Sequence, residues 1–316
     1  MNSAPAFHAI SVVVPVYGCA SCLAQLCQEL ENVLKTLTDH FEIILVDDRS
    51  PDNSWPIILA LQKSHLSLKG IRLSRNFGQH LAITAGLAEA RGEYVIVMDC
   101  DLQDPPSLIP DLYKKINEGC DLVIARRVER THSVFRKFAA KLYFRLLSKL
   151  TEESVDGRYG SFSILSRKVV DSFLRFGERD RHYLFILRWL GFQIGNIDYS
   201  HQERYAGRSS YTIARLIKHA IAGFLFQSTV MLRWIVNLGF LSAFMGVIFA
   251  IFLIFRRLYH EALPGWTSLI VLILISTGVI LVSQGMIGLY VGRIFDQTKK
   301  RPLYLVDLVS ERALPW

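Results

Sequence analysis

Val95-Ile96-Val97-Met98-Asp99-Cys100-Asp101-Leu102-Gln103-Asp104-Pro105-Pro106 is the stretch on which the fold turns. Its apolar run ends abruptly in carboxylates, then in two prolines. A short apolar run bounded by turn residues reads as a buried strand, and the prolines stop it and suit the first turn of a following helix. Asp99, Asp101 and Gln103 then leave a strand end with their oxygen atoms clustered in a small space. Hard oxygen donors so placed suit Mg²⁺ or Mn²⁺, bound through one or two carboxylates with phosphates completing the shell. In open α/β sheets, ligands bind beyond the carboxyl ends of the strands. Taken alone, Asp-x-Asp is short enough to be an acidic turn and nothing more, so the neighbouring segments decide.

Upstream, Ile10 to Val16 reads as a first buried strand, ending at Pro15-Val16-Tyr17-Gly18. A helix is expected from Ala20 to Leu37, with Leu23, Leu26, Leu30, Val33 and Leu37 on one face. Phe41 to Val46 is a second strand, ending in Asp47-Asp48-Arg49-Ser50, and a helix to Lys63 follows. A short strand, Lys69 to Leu73, leads to Ser74-Arg75-Asn76-Phe77-Gly78 and a helix over Gln79 to Ala90. Downstream, a helix over Ser107 to Glu118 precedes the strand Asp121 to Ala125, which ends in Arg126-Arg127. Strands alternate with helices, so the first half is expected to be a doubly wound, Rossmann-like, mostly parallel sheet. Each strand end carries a polar group: Tyr17, Asp47 and Asp48, Arg75, Asp99 and Asp101, Arg126 and Arg127. One sheet edge thus presents carboxylates and arginines together, which suits a metal and a polyphosphate, because arginine forks match phosphate oxygens.

The remainder of the chain points to a membrane. The protein has 316 residues, a net charge of +8 and 51% hydrophobic residues. Clustered basic charge favours an anionic partner, either phosphate ligands or a membrane surface. Thr131 to Thr151 contains no acidic residue, and Lys137, Lys141, Arg145 and Lys149 recur every four positions opposite Phe135, Phe138, Leu142, Leu146 and Leu150. That is a basic amphipathic helix suited to an anionic bilayer, and Tyr211 to Ser228 is a second. Trp234 to Phe255 and Ala262 to Gly292 are uncharged, each long enough to span a hydrocarbon core. Two spans joined by a short link form a hairpin with both ends on one side. The basic load in 204–218 and at Arg293, Lys299, Lys300 and Arg301 marks that side as cytoplasmic, with Arg256 and Arg257 against the rule. Gly278, Gly285, Gly288 and Gly292 permit close helix packing, expected between subunits of a homo-oligomer. No signal peptide is expected. The five cysteines form no metal-ligand pattern and are expected as packed thiols in a reducing compartment. Tyr159 to Leu165 reads as a strand, Arg188-Trp189 as packing, and the basic loop His201 to Tyr211 as a closure over an anion.

These motifs in this order resemble the family-2 glycosyltransferases with a GT-A fold: the Val-Pro-Val-Tyr segment, Asp47-Asp48-x-Ser50, Leu73-Ser74-Arg75-Asn76-Phe77-Gly78, the Asp99 to Pro106 run and Ala125-Arg126-Arg127. Arg204-x-x-Gly207-x-Ser209, the hairpin and Gly292-Arg293-Ile294-Phe295 with Lys300-Arg301-Pro302-Leu303-Tyr304 narrow the resemblance. It narrows to the polyprenyl-phosphate glycosyltransferases, the group of dolichol-phosphate mannose synthase and bacterial bactoprenol glucosyltransferases.

The resemblance implies a layout: a GT-A domain over 1–230 with interface helices near 133–150 and 211–228. A transmembrane hairpin over 231–293 follows, with spans near 234–255 and 266–291, then a cytoplasmic segment over 294–316. It implies that Pro15, Tyr17, Asp47, Asp48, Arg75 and Asp99 bind the donor, a nucleotide sugar such as UDP-glucose, and that Asp99, Asp101 and Gln103 hold Mg²⁺ or Mn²⁺. Arg126, Arg127, Arg136, Arg204 and Ser209 would meet acceptor or donor phosphates, and Asp101, Arg126 and Arg127 would carry catalysis. The expected reaction is inverting hexose transfer to undecaprenyl phosphate for cell-envelope glycan modification. The expected seat is the bacterial inner membrane with the catalytic domain in the cytoplasm, and no nucleic-acid partner is expected.

The chain departs from the family pattern at four places. Tyr17-Gly18-Cys19 stands for Tyr-Asn-Glu, Arg49 for glycine, Ser161 for the aspartate of Gly-Asp-Phe, which is a candidate base, and Ser210 for a common lysine. These substitutions keep open a membrane-anchored nucleotide-sugar-binding partner without turnover. A transferase acting on polysaccharide is the other alternative; the single hairpin and the missing Gln-x-x-Arg-Trp weigh against it.

Overall fold

The computed structural model describes residues 10–128, 159–179, 181–200, 230–259 and 265–310. Two compact units divide the chain. The first comprises Met1–Arg136, Asp156–Ser209 and Arg301–Trp316; the second comprises Lys137–Val155 and Ser210–Lys300.

The first unit is built on one eight-stranded sheet, in the order β7-β5-β6-β4-β1-β2-β3-β8. Its strands are β1 (Ile10–Val16), β2 (Phe41–Asp47), β3 (Leu68–Leu73), β4 (Tyr94–Val97), β5 (Leu122–Val128), β6 (Tyr159–Ser166), β7 (Ile194–Ser200) and β8 (Val306–Ser310). β1 pairs in parallel with both β2 and β4, β2 with β3, and β5 with β7, whereas β6 and β8 run antiparallel to their neighbours. The expected doubly wound, mostly parallel α/β sheet is therefore present. β1 and β2 are buried at every position, which is what a parallel strand covered on both faces demands.

The two faces have separate cores, because successive side chains of a strand point to opposite sides. Val12, Val14 and Val16 of β1 join Leu23, Leu26 and Leu30 of α1 (Leu23–Leu34), Ile58 of α2 (Ser54–Ser64) and Leu112 of α4 (Ile109–Asn117). Val13 joins Ala82, Ile83 and Leu87 of α3 (Gln79–Glu89), Val170 and Phe173 of α5 (Arg167–Leu174) and Ile186 of α6 (Tyr183–Trp189). α3 comes so close that a Cβ on Gly86 would stand 2.3 Å from Val13 Cγ1 and 3.1 Å from Val46 Cγ2.

Helix ends differ from expectation where side chains or turns intervene. α1 begins three residues late because a turn closes first, with Cys22 N donating to Cys19 O at 2.9 Å and Ala20 N to Asp52 Oδ2 at 3.0 Å. A 3₁₀ turn, Pro106–Leu108, precedes α4. α6 starts at Tyr183, because the buried Arg181 guanidinium turns back to cap α5, donating to Phe173 O at 2.8 Å and Phe176 O at 2.6 Å. The Arg188-Trp189 pair, expected as packing, is so for Arg188, which lies over the Tyr159 ring at 4.9 Å. Trp189 meets Phe176 edge-on at 5.0 Å but stays 71% exposed.

The described part of the second unit is helical: α7 (Val230–Tyr259) and α8 (Trp266–Thr298). Both expected spans fall within these helices, and apolar side chains such as Phe240, Phe244, Leu281 and Val282 are exposed. By length and composition one described stretch, Ile275–Thr298, is long and apolar enough to cross a membrane; Ile235–Phe249 is shorter. The interface helices expected near 133–150 and 211–228 lie outside the described residues.

Replacing Gly86 by alanine is expected to cost about 1–3 kcal/mol through overpacking against β1, read as a lowered Tm. A second prediction concerns acid. The rings of His80 and His182 lie 4.5 Å apart, tilted by 44°, and His182 lies 4.3 Å from the Phe185 ring. Burial pushes both imidazoles down, His182 to about 4 with His80 and Arg188 adding to the effect. The unfolded chain titrates near 6.5, so it takes up protons that the folded one refuses as pH falls from about 6.5 toward 4. Stability is therefore complete above that window and lost on descending through it. His182→Phe is expected to flatten the fall of Tm with pH; an unchanged slope would overturn the assignment.

Candidate active site

Leaving β1 toward β3 the chain winds one way, and β4 lies on the other side of β1. The carboxyl ends of β1 and β4 therefore flank the reversal point of the sheet, where such folds form their ligand crevice. Tyr17, 53% exposed, stands at the end of β1, and Asp99 and Asp101, both half-buried, stand at the end of β4.

Asp99 is the hub. Its Oδ1 accepts hydrogen bonds from Gln79 Nε2 and Ser161 Oγ, both at 2.6 Å, and its Oδ2 lies 4.0 Å from Arg127 Nη2. Arg127 Nη2 is 3.3 Å from Oδ1 of the fully buried Asp104, and Arg127 Nε donates to Tyr199 Oη at 3.0 Å. Tyr199 in turn donates its hydroxyl to Asp104. Gly160 leaves room for this guanidinium, since a Cβ there would lie 2.9 Å from Arg127 Nη2. Asp101 Oδ1 accepts from Gln103 N at 3.2 Å across Leu102, whose φ of +59° lies in the left-handed region. Burial pushes the Asp99 carboxyl up to about 6; Asp104 and Asp101 add to the rise, and Ser161 and Arg127 oppose it.

The second carboxylate pair is committed to backbone. Asp48 is buried, with Oδ1 accepting from Phe77 N at 2.7 Å and Oδ2 from Gly78 N at 2.8 Å, which ties the end of β2 to the loop after β3. Burial raises its carboxyl, against the lowering by these two bonds. Asp47, also buried, accepts from Ser50 N at 2.9 Å and lies 3.4 Å from Arg72 Nε. Ser50 accepts from Gly18 N and donates to Val16 O, both at 3.3 Å, so it fastens the Tyr17 loop. Arg49, standing where the family pattern has glycine, adopts φ +55° and is met by Asp307 of β8 at 2.8 Å. A left-handed position explains the pattern's glycine.

Other expected site residues are less convergent. Pro15 is buried inside β1 beside Val46. Arg75 lies over the Phe77 ring at 4.6 Å. Arg126 forks onto Asp198 with bonds of 2.5 and 2.7 Å, while its neighbour Arg127 reaches the Asp99 cluster. Gln103 contributes its backbone N–H to Asp101. Arg136, Arg204 and Ser209 lie outside the described residues.

Sequence reading did not single out Gln79, Asp104 and Tyr199 as members of the cluster. Each follows a strand whose end was already identified or, for Tyr199, sits on β7, whose parallel pairing with β5 brings it beside Arg127. Ser161, standing where the family pattern has aspartate, joins the cluster through Asp99. One expectation is corrected outright: Cys19 and Cys100, 81 positions apart, form a disulfide with Cα atoms 6.3 Å apart rather than packed thiols. Cys22 and Cys27 are buried and free, and Cys120 is half-buried and free. The spacing gave no sign of the pair because adjacency of β1 and β4 is a property of the sheet.

The donor chemistry fits a hard divalent cation. Asp99 and Asp104 share one guanidinium, with Asp101 close to Asp99, and the Asp99 carboxyl is raised by burial first and by these two carboxylates in addition. Among the described residues no group of three or more His, Cys, Asp or Glu side chains is assembled to hold a metal alone. Mg²⁺ and Mn²⁺ fit such a site, because they bind through one or two carboxylates and take phosphates and waters for the rest.

Residues 11–174 match the glycosyl transferase family 2. The chain belongs to this family. Among its relatives are an undecaprenyl-phosphate 4-deoxy-4-formamido-L-arabinose transferase of Photorhabdus laumondii, 34% identical over 95% of this chain and 94% of that protein. A prophage bactoprenol glucosyl transferase homolog of Escherichia coli is 31% identical over 96% of this chain and 99% of that one. A solved structure of similar fold is glucosyl-3-phosphoglycerate synthase from Mycobacterium tuberculosis, crystallised with Mn²⁺, UDP-glucose and phosphoglyceric acid. It has a TM-score of 0.51 and 19% identity, covering 70% of this chain and 79% of that chain. The expected GT-A fold thus holds for this family-2 glycosyltransferase. The family match takes in Tyr17, Asp48, Asp99, Asp101, Arg127 and Ser161; Tyr199 lies beyond it.

Asp104→Asn keeps the shape of the buried side chain but removes the charge facing Arg127. It is expected to cost about 1–3 kcal/mol, as a buried polar network loses a charged partner, and Tyr199→Phe less. A Tm unchanged in Asp104→Asn would show that the guanidinium is held elsewhere.

Proposed function

We propose that this family-2 glycosyltransferase moves a hexose from a UDP-linked sugar to the phosphate of a membrane polyprenyl phosphate, undecaprenyl phosphate, with inversion at the anomeric carbon. What carries the reading is the full-length likeness to proteins named for undecaprenyl-phosphate and bactoprenol transfer, which extends through the apolar helices as well as the matched domain. The carboxylate cluster at the end of β4 supports it, since a nucleoside diphosphate brought there needs its charge met.

In this reading Tyr17 lies against the base and ribose, with Asp47, Asp48 and Pro15 shaping the loops that hold them. Asp99 and Asp101 would hold Mg²⁺ or Mn²⁺. When bound, the ion supplies Lewis-acid stabilisation of the departing diphosphate. Arg127, kept in place by Asp104 and Tyr199, faces the same negative charge, and Arg126, Arg136, Arg204, Arg75 and Ser209 serve phosphates around it. Ser161, which donates its hydroxyl to Asp99, orients that carboxylate.

The absence of the pattern's aspartate at position 161 is compatible with turnover. A phosphate monoester has a second pKa near 6, so the acceptor is already mostly dianionic at neutral pH and needs little help from a base. The protein's task is then to align that oxygen with the anomeric carbon and to receive charge on the opposite side. The helices α7 and α8 form a membrane hairpin, and the amphipathic segments seat the catalytic unit at the cytoplasmic face of the inner membrane, where the lipid's head group lies.

The test is a screen of radiolabelled nucleotide sugars with undecaprenyl phosphate in membranes containing the full chain. Labelled lipid is expected with UDP-glucose and a divalent ion and is lost with chelator. Asp101→Asn keeps the acceptor for Gln103 N, so its Tm stays near wild type while the rate falls roughly 10²–10³-fold, as for loss of one preorganised charge partner. A near-normal rate would remove Asp101 from the metal site. Nucleotide binding with no product from any sugar would favour the non-catalytic alternative.

A further inference from the structure

The disulfide stands between two loops that the proposed function uses. Cys19 follows Tyr17-Gly18 at the end of β1, and Cys100 separates Asp99 from Asp101 at the end of β4. β1 and β4 are adjacent parallel strands, so the bond joins the loops that leave their carboxyl ends at the reversal point of the sheet. The other cysteines are poor competitors for exchange. Cys22 and Cys27 are buried, and burial pushes the Cys27 thiol up to about 12, so its thiolate is scarce. Cys120 packs near Gly195, on the far side of β5 from this mouth in sequence and pairing.

The bond bears on the carboxylates through the backbone they share. With Cys100 tethered, Asp99 is engaged by Gln79 and Ser161, and Asp101 by the Gln103 amide. The next residue, Leu102, holds the left-handed conformation that costs a non-glycine residue free energy. A turn pinned at one end by a covalent bond and at the other by a strained residue has little freedom to swing its carboxylates toward an incoming diphosphate.

We propose, resting on the donor-site reading above, that Cys19 and Cys100 form a reversible redox latch: bonded, they hold the Asp99-Cys100-Asp101 turn against the Tyr17 loop and weaken binding of a metal–nucleoside diphosphate; reduced, they release it. A catalytic unit facing the cytoplasm sits among thiol reductants, where disulfides are transient and regulatory. The exchange is a two-electron step with a dithiol protein or small dithiol as reductant. Its thiolate attacks Cys19 Sγ, the more accessible sulfur; the Cys19–Cys100 bond breaks, and Cys100 leaves as a thiolate that takes a proton. The reductant's second thiol then displaces Cys19, which is protonated in turn, and the reductant departs as its own disulfide. The freed Cys19 thiol has the Tyr17 carbonyl 3.7 Å away as an acceptor. Re-formation reverses these steps with a low-molecular-weight disulfide as oxidant.

The experiment uses the full chain in detergent, poised with dithiothreitol or with oxidised glutathione. Alkylation followed by intact mass counts free thiols, and calorimetry measures UDP binding with Mn²⁺. The oxidised protein is expected to show two fewer alkylated thiols and to bind UDP–Mn²⁺ about tenfold more weakly, as when a tenth of molecules are competent. Cys19→Ser is expected to bind at the reduced wild-type level in both buffers, and Cys100→Ser to lose the redox dependence as well. Full alkylation under oxidised glutathione, or equal UDP affinity in the two states of the wild type, overturns the latch while leaving the donor reading intact. No UDP binding in either state overturns the donor reading, and the latch with it. Redox-dependent UDP binding without sugar transfer to lipid keeps the latch and removes the proposed acceptor.

Discussion

An imbalance of charge at the end of one strand governs this structure. Asp99 and Asp104 share one guanidinium, Arg127, just past the end of β4, and Asp101 stands close to Asp99. Burial is the main reason the Asp99 carboxyl is raised, and the nearby Asp104 and Asp101 carboxylates add to the rise. The protein tolerates it because Asp104 and Tyr199 hold Arg127 in place and because Gln79 and Ser161 donate to Asp99.

The sheet makes that cluster possible. Parallel winding puts the ends of β1 to β4 on one edge, and the antiparallel β6 slides between β4 and β5, bringing Gly160 and Ser161 up from the opposite direction. Gly160 leaves the space that Arg127 fills, and Ser161 occupies the place beside Asp99. After the second unit the chain returns to the sheet as β8 on the β3 edge, where Asp307 meets Arg49 and Ser310 meets Gln62. The loop after β2 is thereby tied to the far end of the sequence.

Much of the arrangement was legible beforehand, and the reason is local. A run such as Ile10 to Val16 cannot be left in water, and prolines after Asp104 cannot continue a strand, so strands, their ends and their polar termini could be read directly. Asp99 and Arg127, both read from strand ends, come within 4.0 Å of each other. Arg126 shows the limit: it is adjacent to Arg127 and of the same type, yet a strand alternates its side chains, and Arg126 is matched by Asp198. Asp48 shows another limit, since an acidic residue at a strand end serves equally to bind backbone amides, and here both oxygens do so.

What the sequence determined by itself was the alternation of buried strands and helices, the edge on which charge would gather, and the apolar character of 230–298, because these depend on the burial of runs of neighbouring residues. What only the tertiary structure decided was which distant residues share that edge: Ser161 and Gln79 on Asp99, Tyr199 with Asp104, Cys19 bonded to Cys100, β8 on β3. Those pairings depend on strand order, and strand order is chosen by the packing of two whole cores, not by any segment read alone.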